Sequence, residues 1–294
     1  DVIVMKKTSL NQGWEFMEGE PSNIPGMNKE TRAVNLPHDF MVEGDVDAHA
    51  RGGSEVGFYH GGAGTYTKVL EFTEKDLTEV MELDFEGCFG LTKVLVNGHP
   101  AGRHHYGYTP FTVNIRPFVK AGANKITVIV HNDAEPNSRW YSGAGLYRGV
   151  NLLTARKLHI DHDGIFVQTD HIAGDGAVIR AEVTLCGKKR EEKDKDEVLL
   201  EFTCRDKESG QVVARGRQRA CLTGEKTMTV TQKFTIENAR LWSPDNPALY
   251  EMQVELYRNP DMEENGGTKE NPDAGELAKT EELEKKGELA KTKD

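Results

Sequence analysis

Cysteine is scarce in this chain. Its 294 residues carry four, Cys88, Cys186, Cys204 and Cys221, and no two form a C-x-x-C pair. That spacing excludes a zinc ribbon and a dithiol redox motif, and the four read as small buried hydrophobes in a reducing compartment. No apolar run approaches the ~20 residues a membrane-spanning helix needs. Basic charge is also short: 37 Lys and Arg stand against 48 Asp and Glu, for a formal net charge of -11. Nucleic acid and anionic membrane both call for a basic face, so neither is expected as a partner. The opening Asp1-Val2-Ile3-Val4-Met5-Lys6-Lys7 is too short an apolar stretch for a secretory leader, and the expected location is cytoplasmic.

Cofactor signatures are missing as well. Gly61-Gly62-Ala63-Gly64 lacks the Gly-Lys-Ser/Thr of a P-loop. Gly143-Ala144-Gly145-Leu146-Tyr147-Arg148 puts Arg where a dinucleotide loop needs its last glycine, and a strand pattern follows instead of a helix. No G-x-S-x-G elbow occurs. Adjacent His104 and His105 would point to opposite faces of a strand, and His159 and His162 would converge only on a helix. The expectation is therefore no cofactor and no metal.

What the chain does have is strand signal. Val80–Phe85, Phe111–Ile115 and Lys125–Val130 alternate with period two, as half-buried strands do. Asn97-Gly98 lies between two such runs, a strong two-residue hairpin signal because both turn positions take positive φ. From Leu158 onward about six more strands follow over 100 residues, the count and spacing of an immunoglobulin-like sandwich. Residues 260–294 are Glu-, Lys- and Gly-rich, with Gly275–Thr280 repeated as Gly287–Thr292, and cannot bury a core. The expected architecture is all-β: residues 1–157 as one sandwich, 158–259 as a second whose last strand is missing, and a disordered acidic tail. That missing strand would leave an open edge, so a homo-oligomer remains open.

The densest chemistry is Ser138-Arg139-Trp140-Tyr141-Ser142-Gly143-Ala144-Gly145-Leu146-Tyr147-Arg148-Gly149-Val150. Aromatic faces stack on the apolar face of a pyranose, and Arg offers planar donors. A sugar-facing role and a structural role both fit Arg139, Trp140 and Tyr141, while Gly145 to Val150 read as packing. This segment resembles the stretch that closes the N-terminal sugar-binding domain of family 2 glycoside hydrolases, the β-galactosidase and β-glucuronidase group. Leu36-Pro37-His38-Asp39-Phe40 is similar to that family's "LPHDW", with Phe40 in place of Trp, and Leu241-Trp242-Ser243-Pro244-Asp245-Asn246-Pro247-Ala248-Leu249-Tyr250 is similar to a stretch of its second domain.

The resemblance implies a jelly-roll, galactose-binding-like sandwich followed by the immunoglobulin-like one. It places His38 and Asp39 at a site edge, and Gly62 in a site wall formed by the long loop 41–64. Where family members commonly carry a sugar-binding Asp or Asn, this chain offers Asn137, Ser138 and Arg139. Trp242 reads as a core plug. A retaining glycosidase needs two carboxylates about 5–5.5 Å apart. In the family both are Glu residues of a (β/α)8 barrel that has no counterpart here, so no catalytic residue is assigned. The implied partners are a β-galactoside substrate and a C-terminal catalytic barrel. A stand-alone carbohydrate-binding module, a β-glucuronidase or β-mannosidase fragment, and a purely structural pair of sandwiches docking a separate barrel chain remain as alternatives.

Overall fold

The computed structural model describes residues 2–24, 26–133, 140–187, 195–223 and 226–258. The acidic tail and the candidate residues Asn137 and Arg139 lie outside them. The strands, in chain order, are β1 (Val2–Ile3), β2 (Lys6–Ser9), β3 (Trp14–Glu18), β4 (Thr31–Val34), β5 (Gly62–Phe72), β6 (Val80–Phe85), β7 (Leu91–Val96), β8 (His99–His104), β9 (Phe111–Asn114), β10 (Gly122–Asn132), β11 (Val150–Ala155), β12 (His159–Ala173), β13 (Gly176–Cys186), β14 (Lys195–Asp206), β15 (Val212–Thr223), β16 (Thr227–Ile236) and β17 (Tyr250–Arg258). Among the described residues the only helical turns are two short 3-10 segments, Gly53–Val56 and Asp76–Thr78.

The first unit spans Lys6–Ala155. A six-stranded sheet, β4-β3-β5-β10-β7-β8, faces a four-stranded sheet, β2-β11-β6-β9. Alternation decides which side chains meet between them. Met81, Leu83 and Phe85 of β6 point inward against Ile126, Val128 and Val130 of β10, with Trp14, Phe16 and Tyr66 filling one end. Asn97 and Gly98 hold φ of 52° and 81°, as the hairpin signal required, and join β7 to β8. Cys88 is fully buried, and burial pushes its thiol up to about 12, so it is a packing residue with no thiolate chemistry.

The second unit contains β12–β17 together with residues 1–5. The expected division at 157 lies within two residues of this boundary, and the difference is confined to the first five residues, which fall with the second unit. β1 pairs with β17 through Val2 opposite Tyr257 and Ile3 opposite Leu256, and Ile3 is buried in the second core. The outer edge of β17, expected to be open, therefore carries a short cover along part of its length. The sheets are β1-β17-β14-β15 and β12-β13-β16, enclosing Val183, Leu185, Leu200, Phe202, Phe234 and Leu256. Cys204 belongs to this core, and burial raises its thiol to about 11. Cys186 and Cys221 are only partly buried, so the reading of all four as core residues holds for two.

Trp242 is not a core plug, because it is 61% exposed. The connection into β17 is anchored two residues earlier. The Arg240 guanidinium donates to Asp206 Oδ2 through Nε and Nη2 (3.0 and 2.6 Å) and to Glu208 Oε2 through Nη1 (2.6 Å), and the Arg240 N–H donates to Tyr250 Oη at 2.7 Å. Asp206 also accepts the Ser209 N–H and hydroxyl. The Ser209 N–H first, then Arg240, holds its carboxyl down to about 2. An unfolded Asp titrates near 3.9 (about that value in peptides). The anchor thus stabilises fully above about pH 4 and loses its effect as pH falls through 2. Arg240→Gln should lower the urea midpoint at pH 5 and converge on the parent protein near pH 2. Equal gaps at both pH values would show that the anchor contributes nothing through ionisation.

Candidate functional site

The site is built where the segment 38–40 lies beside 144–146. The His38 N–H donates to the Leu146 carbonyl at 2.8 Å and the Phe40 N–H to the Ala144 carbonyl at 3.0 Å. Asp39, projecting between these two bonds, has both oxygens engaged. Oδ1 accepts the N–H groups of Met41 (3.0 Å) and Ala144 (2.9 Å), and Oδ2 accepts the Tyr141 hydroxyl at 2.6 Å. Partial burial and this carboxylate raise the Tyr141 phenol well above its ordinary range, which fixes it as an O–H donor.

Two glycines make the arrangement possible. A Cβ on Gly143, whose φ is +69°, would stand 2.5 Å from Asp39 Oδ2. One on Gly145, with φ +124°, would stand 2.3 Å from Tyr66 Oη and 2.8 Å from the His38 carbonyl oxygen. Leu146 and Val150 are fully buried, Tyr147 donates its hydroxyl to the Gly107 carbonyl at 2.7 Å, and the Arg148 guanidinium lies 5.3 Å from the Tyr147 ring centroid. Residues 145–150 are structural.

His38 is placed inward. It is 8% exposed, packs 4.8 Å from the Phe16 ring, and has both ring nitrogens engaged, Nδ1 with Tyr66 Oη at 2.7 Å and Nε2 with Glu43 Oε1 at 3.2 Å. Glu43 is in turn ion-paired to Arg32. Burial lowers the His38 pKa, Glu43 opposing, so the neutral ring fits: Nε2–H donates to Glu43 while Nδ1 accepts from Tyr66. His38 braces the site and does not face it.

Toward solvent lie two groups of rings, which meet in sequence at Trp140 and Tyr141. Trp140 is 60% exposed and donates its indole N–H to Tyr108 Oη at 3.0 Å. Tyr108 meets Tyr106 at 5.7 Å and Phe89 at 5.1 Å, both edge to face. Tyr141, 37% exposed, meets Tyr59 at 5.3 Å. Tyr108 and Phe89 are not singled out by the sequence, because the turn after β8 that brings Tyr108 to Phe89 and Trp140 leaves no periodic signal.

Gly62 opens β5, so it stands on a strand and not in the long loop expected to hold it. It lines a shallow concavity of about 260 Å³ with Phe40, Met41, Asp45 and His60. Phe40 and Met41 follow Asp39 directly, so this concavity adjoins the braced segment. The connection 41–61 folds on itself. Asp47 accepts from the His49 N–H at 2.8 Å and contacts the His60 ring at 2.9 Å, while Met41 and Val56 form a small core with Ala144.

The family model for the sugar binding domain of glycosyl hydrolases family 2 matches residues 8–156, and the model for glycosyl hydrolases family 2 matches residues 158–269. This chain belongs to glycosyl hydrolase family 2. A β-galactosidase of Bacteroides ovatus, BoGH2A, is 30% identical over 260 residues, covering 87% of this chain and 30% of its own length. A β-glucuronidase of Formosa agariphila is 25% identical over 273 residues, 83% of this chain and 27% of its own. The crystal structure of a family 2 member from Bacteroides cellulosilyticus superposes with a TM-score of 0.76 at 30% identity, over 86% of this chain and 33% of that one. The chain thus spans about a third of the relatives it matches. As a family 2 chain it carries the two non-catalytic N-terminal β-domains of β-galactosidase- and β-glucuronidase-type enzymes.

Proposed function

We propose that this chain is the substrate-side, non-catalytic portion of a β-galactosidase acting on terminal β-galactosides. The rings around Trp140 and Tyr141 form part of the wall against which the sugar rests, and the second sandwich is a spacer toward a catalytic barrel. The observation that carries this reading is the pairing of exposed ring faces with a phenol fixed from behind by Asp39. A ring face takes the apolar side of a pyranose, the Tyr108 hydroxyl, which accepts the Trp140 indole N–H, keeps its own hydrogen for a sugar oxygen, and the Tyr141 oxygen is left to accept from a sugar hydroxyl. Tyrosine hydroxyls are neutral partners, which favours a neutral galactoside over a glucuronide carboxylate. Asp39 itself, held by three donors, is unavailable as an acid, a base or a nucleophile.

The test is a pair of assays on the 294-residue chain. Incubation with p-nitrophenyl β-galactoside should release no nitrophenol above buffer. Titration with methyl β-galactoside should perturb tryptophan fluorescence weakly and saturably, and Trp140→Ala should abolish the signal. Hydrolysis by the chain would contradict the non-catalytic reading. A signal unchanged in Trp140→Ala would contradict the placement of the sugar.

A further inference from the structure

The second unit holds a cluster that no part of the sugar-facing reading uses. His159 at the start of β12 stands directly opposite Cys186 at the end of β13. Opposed residues of an antiparallel pair keep their Cβ atoms about 4.5–5.5 Å apart. Asp161, two residues on, shares the face of His159. One ligand atom from each of His159, Asp161 and Cys186 lies within 4.8 Å of the others.

We propose that these three side chains form a binding site for a zinc-class divalent ion, with a fourth position left to water. Three observations beyond proximity support it. First, the site is shaped by a bulge. The β12–β13 register breaks between Ile160 and Ile165, Asp163 takes φ 54°, and a Cβ on Gly164 would come within 2.8 Å of the Asp161 carbonyl oxygen. Bulges of this kind re-aim a side chain, and here the carboxylate is set beside the His–Cys pair. Second, His159 Nδ1 lies 3.3 Å from the Lys157 carbonyl oxygen. An Nδ1–H donated there leaves the Nε2 lone pair for a metal, the arrangement that orients most metal-bound histidines. Third, the ligands differ in exposure. His159 is buried, Cys186 half-buried and Asp161 exposed, so the cluster opens to solvent through its carboxylate.

The donor set selects the ion. A thiolate and an imidazole with one carboxylate suit zinc and not magnesium or calcium. Bond lengths of about 2.0–2.3 Å put tetrahedral ligands roughly 3.3–3.8 Å apart. Set against the 4.8 Å bound, the closure needed is at most about 1.5 Å, and the exposed Asp161 side chain is the freest of the three to move. The i, i+3 pair His159 and His162 does not converge here. The site uses i, i+2 on a strand plus a cross-strand partner 27 residues away in sequence.

The experiment is cobalt(II) titration of the metal-stripped 294-residue chain, followed by zinc displacement. The proposal expects one equivalent of cobalt with a near-ultraviolet thiolate-to-cobalt charge-transfer band that zinc erases. Cys186→Ser should remove the band, Cys221→Ser should leave it, and Asp161→Asn, at an exposed position that cannot unfold the sheet, should weaken binding by about tenfold or more. Zinc should raise the melting temperature of the parent chain and not that of Cys186→Ser. Absence of the band, its persistence in Cys186→Ser, its loss in Cys221→Ser, or unchanged affinity in Asp161→Asn would each overturn the site.

Discussion

Gly145→Ala should destabilise the first unit by about 3–5 kcal/mol, combining strain at an unfavourable φ with overpacking at a dense site. The new methyl would stand 2.3 Å from Tyr66 Oη and 2.8 Å from a backbone oxygen. Tyr66 has no room to retreat: it is fully buried, bonded to His38 Nδ1 at 2.7 Å and packed 5.0 Å from Phe16. Any shift of the 144–146 backbone instead breaks the bonds that hold 38–40, and with them Asp39. Gly62→Ala is the matched control. Nothing lies within 4 Å of its Cβ position, and its backbone conformation is open to any residue, so the change should stay within about 0.5 kcal/mol. Urea unfolding of the two variants separates the glycine that geometry demands from the one it does not. Similar midpoints would show that the 38–40 and 144–146 brace is looser than described.

The contrast marks what could be read from the sequence. The strands were legible because alternation in β6 and β10 and the Asn97-Gly98 turn are local signals that tertiary packing did not override. The domain order was legible from the run of short strands. What sequence could not show was pairing at a distance. Val2–Ile3 is two residues of unremarkable composition, and only the free edge of β17, some 250 residues later, explains its place. The site divides the same way. His38 and Asp39 were picked out as a polar pair at a site edge, but adjacent residues of extended chain face opposite ways. One is therefore buried against Tyr66, and the other reaches Tyr141 from 102 positions away. Trp242 failed for a related reason. An aromatic before a strand suggests a plug, but the anchor of that turn is ionic, through Arg240 and Asp206.

Phe202→Ala should cost the second unit about 3–5 kcal/mol, the usual range for deleting a buried aromatic ring. Phe202 is 1% exposed on β14, between β15 and β17, and meets the Phe234 ring of the facing sheet at 5.6 Å. The two cores share no residues. Amide hydrogen exchange should therefore accelerate across β13–β17 while β5 and β10 keep their protection. Uniform loss of protection along the whole chain would show that the two units unfold as one.

The rings around Trp140 and Tyr141 are the proposed meeting point of this family 2 chain with its sugar. Amide and indole chemical-shift mapping of the 294-residue chain with methyl β-galactoside tests it most directly. Shifts are expected at the Trp140 indole N–H and at the amides of Tyr141, Ala144 and Met41, with the second sandwich silent. Shifts confined to the second sandwich, or none at these positions at saturating sugar, would contradict it.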